Sequence, residues 1–256
     1  MMVRTHGLKK HFQDPKTGLK KAVDGIDIEA KPGRIFGLLG ANGAGKTTIL
    51  RMLSTVITPT SGTSEVAGFD IIKQPQEVRA NIGFMSSSTA LYGRLTSREV
   101  LEYFGRLYGL DEKRLKDRMK YVIDKLQIEE FADRLCDKLS TGQKQRVSIA
   151  RTILHDPKVL FFDEPTAGLD VVTSQTVMEF IEEARDLGKT VVFSTHIMSE
   201  VERLCDDLAV IHDGVIVATG TPQTMREISG EQNLERAFLH LVKFQAGYVS
   251  ARLGTV

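Results

Sequence analysis

Short, unbroken apolar runs recur along the chain, separated by longer segments in which apolar residues keep a helical spacing. Strands that consist of continuous apolar residues are typical of a parallel sheet that helices cover on both faces. Such runs lie at residues 34–39, 82–85, 158–162 and 190–194. Their alternation with amphipathic helices predicts an α/β fold built on a parallel sheet.

Helical spacing dominates the middle of the chain, whereas the N-terminal part has the pattern of strands. The predicted helices lie at residues 47–54, 97–108, 111–126, 140–154 and 172–187. The first 30 residues predict extended segments around a turn at residues 14–18, where proline and glycine favour a chain reversal. We therefore expect an N-terminal antiparallel β subdomain and an α-helical subdomain inserted into the sheet core.

The same pattern gives the expected domain limits. A single domain is expected over residues 3–240, with its core at about 3–86 and 155–220. The helical insertion is expected at about 88–154, where the strand pattern is interrupted. Residues 221–256 are expected to form a C-terminal helical extension and tail.

Charge and cysteine content restrict the classes of function. The formal net charge is +1, from 34 basic and 33 acidic residues, so no global field favours a polyanion such as DNA. Cys136 and Cys205 show neither metal-ligand spacing nor a disulfide signature and are interpreted as reduced thiols. No stretch reaches the roughly 18–20 apolar residues that span a bilayer, and the N-terminus has no signal-peptide core. The chain is therefore expected in the cytoplasm, without a nucleic-acid partner.

A glycine-rich loop follows the first apolar run. Residues 40–47 match the pattern G-x-x-x-x-G-K-[ST] between a predicted strand and a predicted helix. Glycines let backbone N–H groups approach phosphate oxygens, and the helix N-terminus adds its positive dipole end. Lys46 would contact the β- and γ-phosphates, and the Thr47 hydroxyl is placed to ligate Mg²⁺. The predicted nucleotide-binding residues here are Gly40, Ala41, Asn42, Gly43, Ala44, Gly45, Lys46, Thr47 and Thr48.

Polar residues also follow two of the later apolar runs. Asp163 and Glu164 come directly after one buried strand, and His196 comes after the next. Since ligands gather at the carboxyl ends of parallel strands, Asp163 is expected to hold Mg²⁺ and Glu164 to orient the attacking water. His196 can then reach the γ-phosphate and that water. The remaining histidines have no such context and are interpreted as incidental; they are His6, His11, His155, His212 and His240.

The segment at residues 139–147, LSTGQKQRV, resembles the LSGGQ-QR signature of ABC ATPases, with Thr141 in place of the first glycine. The resemblance covers about residues 3–240 and implies a P-loop NTPase (RecA-like) fold that binds and hydrolyses ATP. It also implies that Phe12 stacks on adenine and that His196 is the switch histidine. The motifs keep the family's order: Phe12, the phosphate loop at 40–47, the signature at 139–143, the acidic pair at 163–164, the D-loop at 168–170 and His196.

The resemblance further implies a shared site in a dimer of this chain with itself or with a close relative. Each ATP would lie between the phosphate loop of one subunit and the signature of the other. Ser140 and Gly142 begin a helix whose N-terminal N–H groups need an anion, which the partner's ATP can supply. The residues implied in this contact are Ser140, Gly142, Gln143 and Asp170.

One position departs from the family pattern. The family carries a glutamine after the strand that corresponds to residues 82–85, and it contacts Mg²⁺ and links the site to the permease. Aligned by that strand, the position is Ser87. A serine hydroxyl reaches less far, so a contact through water, weaker Mg²⁺ coordination and retained hydrolysis are expected. The predicted metal-site residues are thus Thr47, Asp163 and Ser87.

Residues 91–96 and 101–110 resemble the sodium-extrusion (NatA-type) branch, whose members pair with ABC-2 export permeases. The implied function is an ATPase subunit that powers export, of sodium in this branch, beneath a separate permease at the inner face of the membrane. The permease is expected to dock near residues 88–110, where Leu91, Tyr92, Tyr103 and Phe104 are either docking surface or core. Motors of drug or polysaccharide exporters share much of this pattern. A non-transport ATPase acting on ribosomes or nucleic acid, and a regulator with a dead site, are the remaining alternatives.

Overall fold

The computed structural model of the chain describes residues 1–14, 18–86 and 91–253, with side chains as far as residue 244 except that of Asp14. The strands are β1 (Val3–Asp14), β2 (Gly18–Ile26), β3 (Glu29–Ala30), β4 (Ile35–Leu39), β5 (Ser61–Val66), β6 (Phe69–Asp70), β7 (Ile82–Ser86), β8 (Val159–Asp163), β9 (Thr190–Thr195), β10 (Asp207–His212) and β11 (Val215–Gly220). The helices are α1 (Lys46–Leu53), α2 (Pro75–Asn81), α3 (Ser97–Leu107), α4 (Glu112–Lys125), α5 (Thr141–Ile153), α6 (Val171–Asp186), α7 (Met198–Leu204), α8 (Pro222–Ser229) and α9 (Leu234–Leu253). Short 3-10 helices lie at Glu129–Phe131 and Cys136–Lys138.

The larger of the two described sheets forms the centre of the fold. Its strand order is β11-β10-β4-β9-β8-β7, and every pairing among these strands is parallel except β10 with β11. Because parallel strands end at one edge, the segments that follow β4, β8 and β9 are neighbours there. This edge brings together the phosphate loop, the acidic pair and His196.

Strand β8 shows why the strands of the larger sheet are unbroken apolar runs in the sequence. Val159 and Phe161 belong to a core shared with α1 and the antiparallel sheet, whereas Leu160 and Phe162 belong to a core shared with α5 and α6. Since side chains alternate along a strand, one strand supplies both cores. The predicted parallel-sheet α/β class is therefore confirmed.

The smaller sheet is the predicted N-terminal antiparallel subdomain. Its strand order is β2-β1-β5-β6, with β3 also paired to β1. Thr5 ties two of these strands together, because its buried hydroxyl donates to the Ile26 carbonyl at 3.0 Å and accepts from the Ile28 N–H at 2.8 Å. The β1–β2 hairpin is present as expected, although its predicted turn falls largely on residues 15–17, which lie outside the described residues.

Helices α3, α4 and α5 lie between β7 and β8 in the chain and begin within one residue of their predicted starts. Each start has a side-chain cap: Thr96 accepts from the Glu99 N–H, Asp111 from the Arg114 N–H, and Ser140 from the Gln143 N–H. Such caps satisfy N–H groups that the first turn leaves without intrahelical partners. The exact domain limits proposed from the sequence stay a prediction.

The C-terminal helices α8 and α9 cover the β10–β11 end of the larger sheet. Met225, Leu234 and Ala237 are buried against Leu208 and Val210 of β10. None of the described helices combines the length and the apolar content that a bilayer crossing requires.

His155 has a structural role, which corrects its interpretation as incidental. The ring lies at the end of α5, is buried, and stacks on Tyr108 with 3.7 Å between ring centroids and 5° between planes. Nε2 lies 2.9 Å from the Ile82 carbonyl oxygen, so Nε2–H donates to β7, while Nδ1 is buried without a partner. Burial lowers the pKa of His155 to about 4. A neutral imidazole thus joins the helical subdomain to the sheet.

We expect this histidine to make the stability of the protein fall with acid. Because the pKa of His155 is lower in the folded state, the unfolded state binds more protons between the two pKa values, and the folded state loses stability as the pH falls from about 6.5 towards 4. Between pH 7 and pH 5 the wild type should lose about 2 kcal/mol more than His155→Gln, measured by urea unfolding. The exposed His240→Gln serves as a control and should behave as wild type. Equal pH dependence in wild type and His155→Gln would contradict the assignment.

Candidate active site

The phosphate loop connects the end of β4 to the start of α1 in a conformation that needs glycine. Gly43 and Gly45 have φ angles of 83° and 112°, in the region that side-chain-bearing residues avoid. A Cβ on Gly45 would also lie 2.6 Å from the Ala22 carbonyl oxygen, and one on Gly40 would lie 2.5 Å from that of Ile211. The loop is therefore packed against the backbone of β2 and β10.

Lys46 lies within this loop and is almost fully buried. Its Nζ donates to the carbonyl oxygens of Gly40 at 2.8 Å and Ala41 at 3.1 Å. It also lies 3.3 Å from Oε1 of Glu164. The first helical residue of α1 thus holds a positive charge between the loop backbone and the acidic pair.

Asp163 joins three segments at the edge of the sheet. Its Oδ1 accepts from the Thr47 hydroxyl at 2.9 Å and from the Ser194 hydroxyl at 2.8 Å. The residue is 1% exposed, and Oδ2 is buried with no hydrogen-bond partner. An unsatisfied buried carboxylate oxygen is costly unless a ligand meets it, which makes Oδ2 a candidate ligand position.

Glu164 has a strained backbone at the end of β8. Its φ is 49°, and its N–H donates to both the carbonyl and the hydroxyl oxygen of Ser194, at 3.2 Å and 3.0 Å. Its Oε1 faces Lys46, and its Oε2 lies 3.5 Å from Nδ1 of the half-exposed His196. The carboxylate therefore lies between a lysine of the phosphate loop and the histidine after β9.

A pocket of about 530 Å³ opens on this edge. It is large enough for a small-molecule ligand and mixes one aromatic ring with many polar groups. Its lining residues are Phe12, Gln13, Lys20, Ala22, Asn42, Gly43, Gly45, Lys46, Thr47, Thr48 and Glu164. Of the predicted phosphate-loop residues, Gly40, Ala41 and Ala44 do not line the pocket. The carbonyls of Gly40 and Ala41 accept from Lys46, which does line it.

Three lining residues were not among the predicted site residues, namely Gln13, Lys20 and Ala22. Lys20 is the cross-strand partner of Phe12 in the β1–β2 hairpin, and Lys10 places its Nζ 5.1 Å from the centre of the Phe12 ring. The signal for Lys20 was available in the sequence, since pairing across the turn at residues 14–18 sets it opposite Phe12.

Comparison with known protein families identifies the function of this pocket. Residues 23–167, more than half of the chain, match the ABC transporter family. The chain belongs to the ABC transporter family. As an ATP-binding subunit of this family, it binds and hydrolyses ATP to drive transport, which confirms the function inferred from the motifs.

Curated relatives extend over nearly the whole chain. It is 39% identical over 239 residues to the ABC transporter ATP-binding protein NatA of Bacillus subtilis (strain 168), covering 93% of this chain and 97% of that protein. It is 36% identical to the daunorubicin resistance ATP-binding protein DrrA2 of Streptomyces coeruleorubidus, covering 91% of this chain and 71% of that protein. With YbhF, a probable multidrug ABC transporter ATP-binding protein of Escherichia coli (strain K12), identity is 34%, over 89% of this chain but 40% of that protein.

Solved structures show the same fold. An ATP-binding subunit of an ABC transporter superposes with a TM-score of 0.84 at 25% identity, covering 94% of this chain and 99% of that chain. A dimeric ATP-binding cassette bound to ADP and phosphate superposes with a TM-score of 0.79 at 24% identity, covering 86% of this chain and 98% of that chain. The second likeness supports the fold alone. The predicted P-loop NTPase class is confirmed.

The signature residues lie apart from the phosphate pocket of their own chain. Ser140 is exposed and forms a capping box with Gln143, in which each side chain accepts from the other's backbone N–H, at 3.2 Å and 3.0 Å. Gly142 packs so closely on Thr173 that a Cβ would lie 2.9 Å from the Thr173 hydroxyl oxygen. None of these residues lines the pocket.

Asp170 lies beside the signature residues Ser140, Gly142 and Gln143 and forms with them a second cluster, apart from the phosphate pocket. Its two carboxylate oxygens accept from the Thr173 N–H at 2.9 Å and from the Thr173 hydroxyl at 2.8 Å. These hydrogen bonds from Thr173 lower the pKa of Asp170. Thr173, which the sequence did not single out, therefore connects Asp170 to Gly142 of the signature. Ser87, the predicted substitute for the family glutamine, lies outside the described residues.

We expect Gly45→Ala to damage ATP binding more than stability. The added Cβ collides with the Ala22 carbonyl oxygen and shifts the loop backbone, so ATP affinity should fall by about tenfold or more. Gly230→Ala is a matched control, because Gly230 is also left-handed, with φ 72°, but has open space around it. It should cost about 1 kcal/mol of stability and leave ATP binding unchanged. Equilibrium binding of a fluorescent ATP analogue, with thermal unfolding, separates the two effects; equal ATP affinities would contradict the proposed packing.

Proposed function

We propose that two copies of this chain, or this chain and a close relative, close on two ATP molecules and so drive export through a separate membrane permease, with sodium as the cargo. The observation that carries the proposal is the position of Glu164 between Lys46 and His196, next to a buried Asp163 oxygen without a partner. These groups are of the kinds that ATP hydrolysis uses: a lysine for the phosphates, a carboxylate that orients water and an oxygen for Mg²⁺.

In this proposal ATP occupies the phosphate-loop pocket. The phosphates meet the loop N–H groups, Lys46 and Thr48, and the adenine stacks on the exposed part of the Phe12 ring. Lys20 and Gln13 lie beside Phe12 and can contact the rest of the nucleotide. Phosphate oxygens also compete with Glu164 for Lys46, since one ammonium group serves both.

The Asp163 side chain fits a magnesium ion. Mg²⁺ in nucleotide sites is usually held by one or two carboxylate or hydroxyl ligands together with water and phosphates, and Asp163 Oδ2 and the Thr47 hydroxyl offer these. When bound, the ion would neutralise charge on the β- and γ-phosphates. Ser87 is the third proposed contact, through water.

Hydrolysis then depends on Glu164. Its carboxylate accepts a hydrogen bond from the attacking water and orients it towards the γ-phosphorus, and His196 contacts the γ-phosphate from the neighbouring strand end. Binding of ATP draws Lys46 to the phosphates and leaves Glu164 free to act on water. Because Lys46 exchanges Glu164 for the phosphates, Glu164 becomes able to orient water only when ATP occupies the phosphate loop.

The second cluster supports pairing of two subunits. The N-terminal end of α5, with Ser140, Gly142 and Gln143, does not reach the phosphate pocket of its own chain. Beside Asp170, the apolar side chains of Val171 and Val172 are 86% and 73% exposed. Exposed apolar side chains next to an unused helix N-terminus favour an interface in which this cluster meets the ATP of the partner subunit.

The helical subdomain offers a surface for the permease at the inner face of the membrane. Tyr92 and Tyr103 are about half exposed and contact each other edge to face, whereas Leu91 and Phe104 pack against the core. The proposed docking surface therefore reduces to the two tyrosines and their neighbours. Aromatic side chains with polar ends are favoured at such interfaces.

Sodium is proposed as the cargo because residues 91–96 and 101–110 resemble the sodium-extrusion branch, and the likeness to NatA supports that branch. A drug is the second candidate, because DrrA2 is named for daunorubicin resistance and YbhF as a probable multidrug transporter component. In either case the cargo contacts the permease and not this chain.

Glu164→Gln should bind ATP at least as tightly as wild type, because it removes the charge that competes with the phosphates for Lys46. It should hydrolyse ATP at least about a hundredfold more slowly, because the amide cannot serve as the base that polarises water. With hydrolysis blocked, ATP should hold two subunits together, which size-exclusion chromatography with light scattering detects. Glu65→Gln, on the outer antiparallel sheet, is the control and should keep normal turnover and remain monomeric after hydrolysis. An unchanged hydrolysis rate in Glu164→Gln would remove Glu164 from this role.

The cargo is tested in inverted membrane vesicles that contain this chain and the integral membrane protein that co-purifies with it. ATP should drive accumulation of radioactive sodium, and vesicles with the Glu164→Gln variant should show none. Tyr92→Ala with Tyr103→Ala should reduce co-purification while leaving the ATPase rate of the isolated chain unchanged, because both rings lie outside the phosphate pocket. ATP-driven accumulation of daunorubicin without sodium would instead favour the drug exporter.

A further inference from the structure

Glu200 is a buried carboxylate that has no role in the hydrolysis proposed above. It lies in the first turn of α7 and is 5% exposed. One of its oxygens accepts from the Thr166 hydroxyl, and the other accepts from the Thr195 hydroxyl at 2.5 Å. Both threonines are themselves buried. The carboxylate is thus held by one hydroxyl donor on each oxygen.

This pairing needs a carboxylate. A buried carboxylate without partners is costly, and charge-assisted O–H···O bonds offset that cost. The Thr195 hydroxyl oxygen also accepts from the Ile197 N–H at 3.0 Å, which leaves its own proton available for Glu200. A glutamine has one acceptor oxygen and one amide group that only donates, so both bonds become neutral and one threonine must reverse its hydroxyl to keep a partner.

The two threonines lie in the segments that carry the proposed catalytic groups. Thr195 ends β9, directly before His196 and directly after Ser194, which holds Asp163 and the Glu164 N–H. Thr166 lies two residues after Glu164. Its carbonyl accepts from the Leu169 N–H at 3.1 Å in the turn that leads to Asp170. Glu200 therefore connects the segment after β8 with the segment after β9.

We propose that Glu200 is a positioning residue for ATP hydrolysis, which clamps the Thr166 and Thr195 segments and so sets the position of Glu164 relative to His196. The proposal rests on the proposed roles of Glu164 and His196. Glu164 has a left-handed backbone that persists only where its surroundings fix it. Ser194 fixes it on the N-terminal side, through its N–H, and Glu200 fixes it on the C-terminal side, through Thr166.

The consequence is a selective loss of turnover. Glu200 does not line the phosphate pocket, although Thr195 reaches the phosphate loop through its carbonyl, which accepts from the Gly40 N–H at 3.3 Å. That bond continues the pairing of β4 with β9 and does not involve the Glu200 carboxylate, so ATP affinity should change less than turnover. A displacement of the water-orienting carboxylate by a fraction of an ångström is enough to slow hydrolysis by about tenfold to a hundredfold. Asp170 lies at the end of the clamped turn, so the same variant should also weaken the ATP-held dimer.

The test compares Glu200→Gln, Thr195→Val and Thr195→Ser with wild type. Glu200→Gln and Thr195→Val should lower kcat by about tenfold or more, with KM for ATP and the affinity for a fluorescent ATP analogue within about twofold of wild type. Thr195→Ser keeps the hydroxyl donor and should restore kcat to near wild type. Glu202→Gln is the matched control on α7, because Glu202 is exposed and pairs with Arg226 instead. It should leave kcat unchanged.

A second background separates positioning from folding. In Glu164→Gln, the residual turnover should not fall further when Glu200→Gln is added, because both act on the same step. Wild-type kcat in Glu200→Gln and Thr195→Val would overturn the clamp while leaving the proposed function intact. A parallel fall of kcat, ATP affinity and thermal stability that Thr195→Ser does not reverse would also overturn it. Full turnover by Glu164→Gln alone would contradict the proposed function and the clamp with it.

Discussion

The Asp163 carboxylate is the interaction on which the geometry of the site depends. It lies at the end of β8 and accepts, through one oxygen, from a hydroxyl of α1 and a hydroxyl of β9. A charge buried to this degree is costly unless every lone pair is used. The fold satisfies one oxygen and leaves the other buried without a hydrogen-bond partner. One oxygen of Asp163 thus holds three segments of the fold together. In the proposed function the other oxygen meets the bound ion.

Lys46 and Glu164 extend this arrangement outward. Lys46 is held by loop carbonyls and by Glu164, and Glu164 in turn reaches His196. Neutral carbonyls hold an ammonium group less strongly than phosphate oxygens do, since only the phosphate oxygens carry a net negative charge that attracts it. In the proposed cycle this difference moves Lys46 towards ATP and frees Glu164. Binding of ATP would thus free the Glu164 carboxylate for hydrolysis, because the phosphates take over the Lys46 ammonium group that Glu164 held.

The fold keeps the two halves of the proposed site apart within one chain. The phosphate pocket is built from β1, β2 and the loop after β4, whereas the signature meets Asp170 through Thr173 at the junction of α5 and α6. Each cluster is internally well bonded. A helix start that is satisfied on one side and exposed on the other favours completion by a second subunit rather than by a rearrangement of the same chain.

The sequence by itself determined the parallel α/β core, the starts of the main helices and the identity of the phosphate-loop and acidic residues. It could do so because strand and helix periodicity, capping residues and the glycine-lysine loop are local signals whose physics acts over a few neighbouring positions. Its family signature is confirmed by the match over residues 23–167. The roles of individual site residues stay predictions.

Only the tertiary structure decided which side chains meet across strands. Several contacts join positions far apart in the chain. They are the Asp163 bonds to Thr47 and Ser194, the stacking of His155 on Tyr108, and the Glu200 bond to Thr166. No local pattern encodes such contacts, because strand order and register place them and the same residue types elsewhere face solvent. Ser194 and Glu200 could therefore be identified as partners only once the sheet edge had brought the segments after β4, β8 and β9 together.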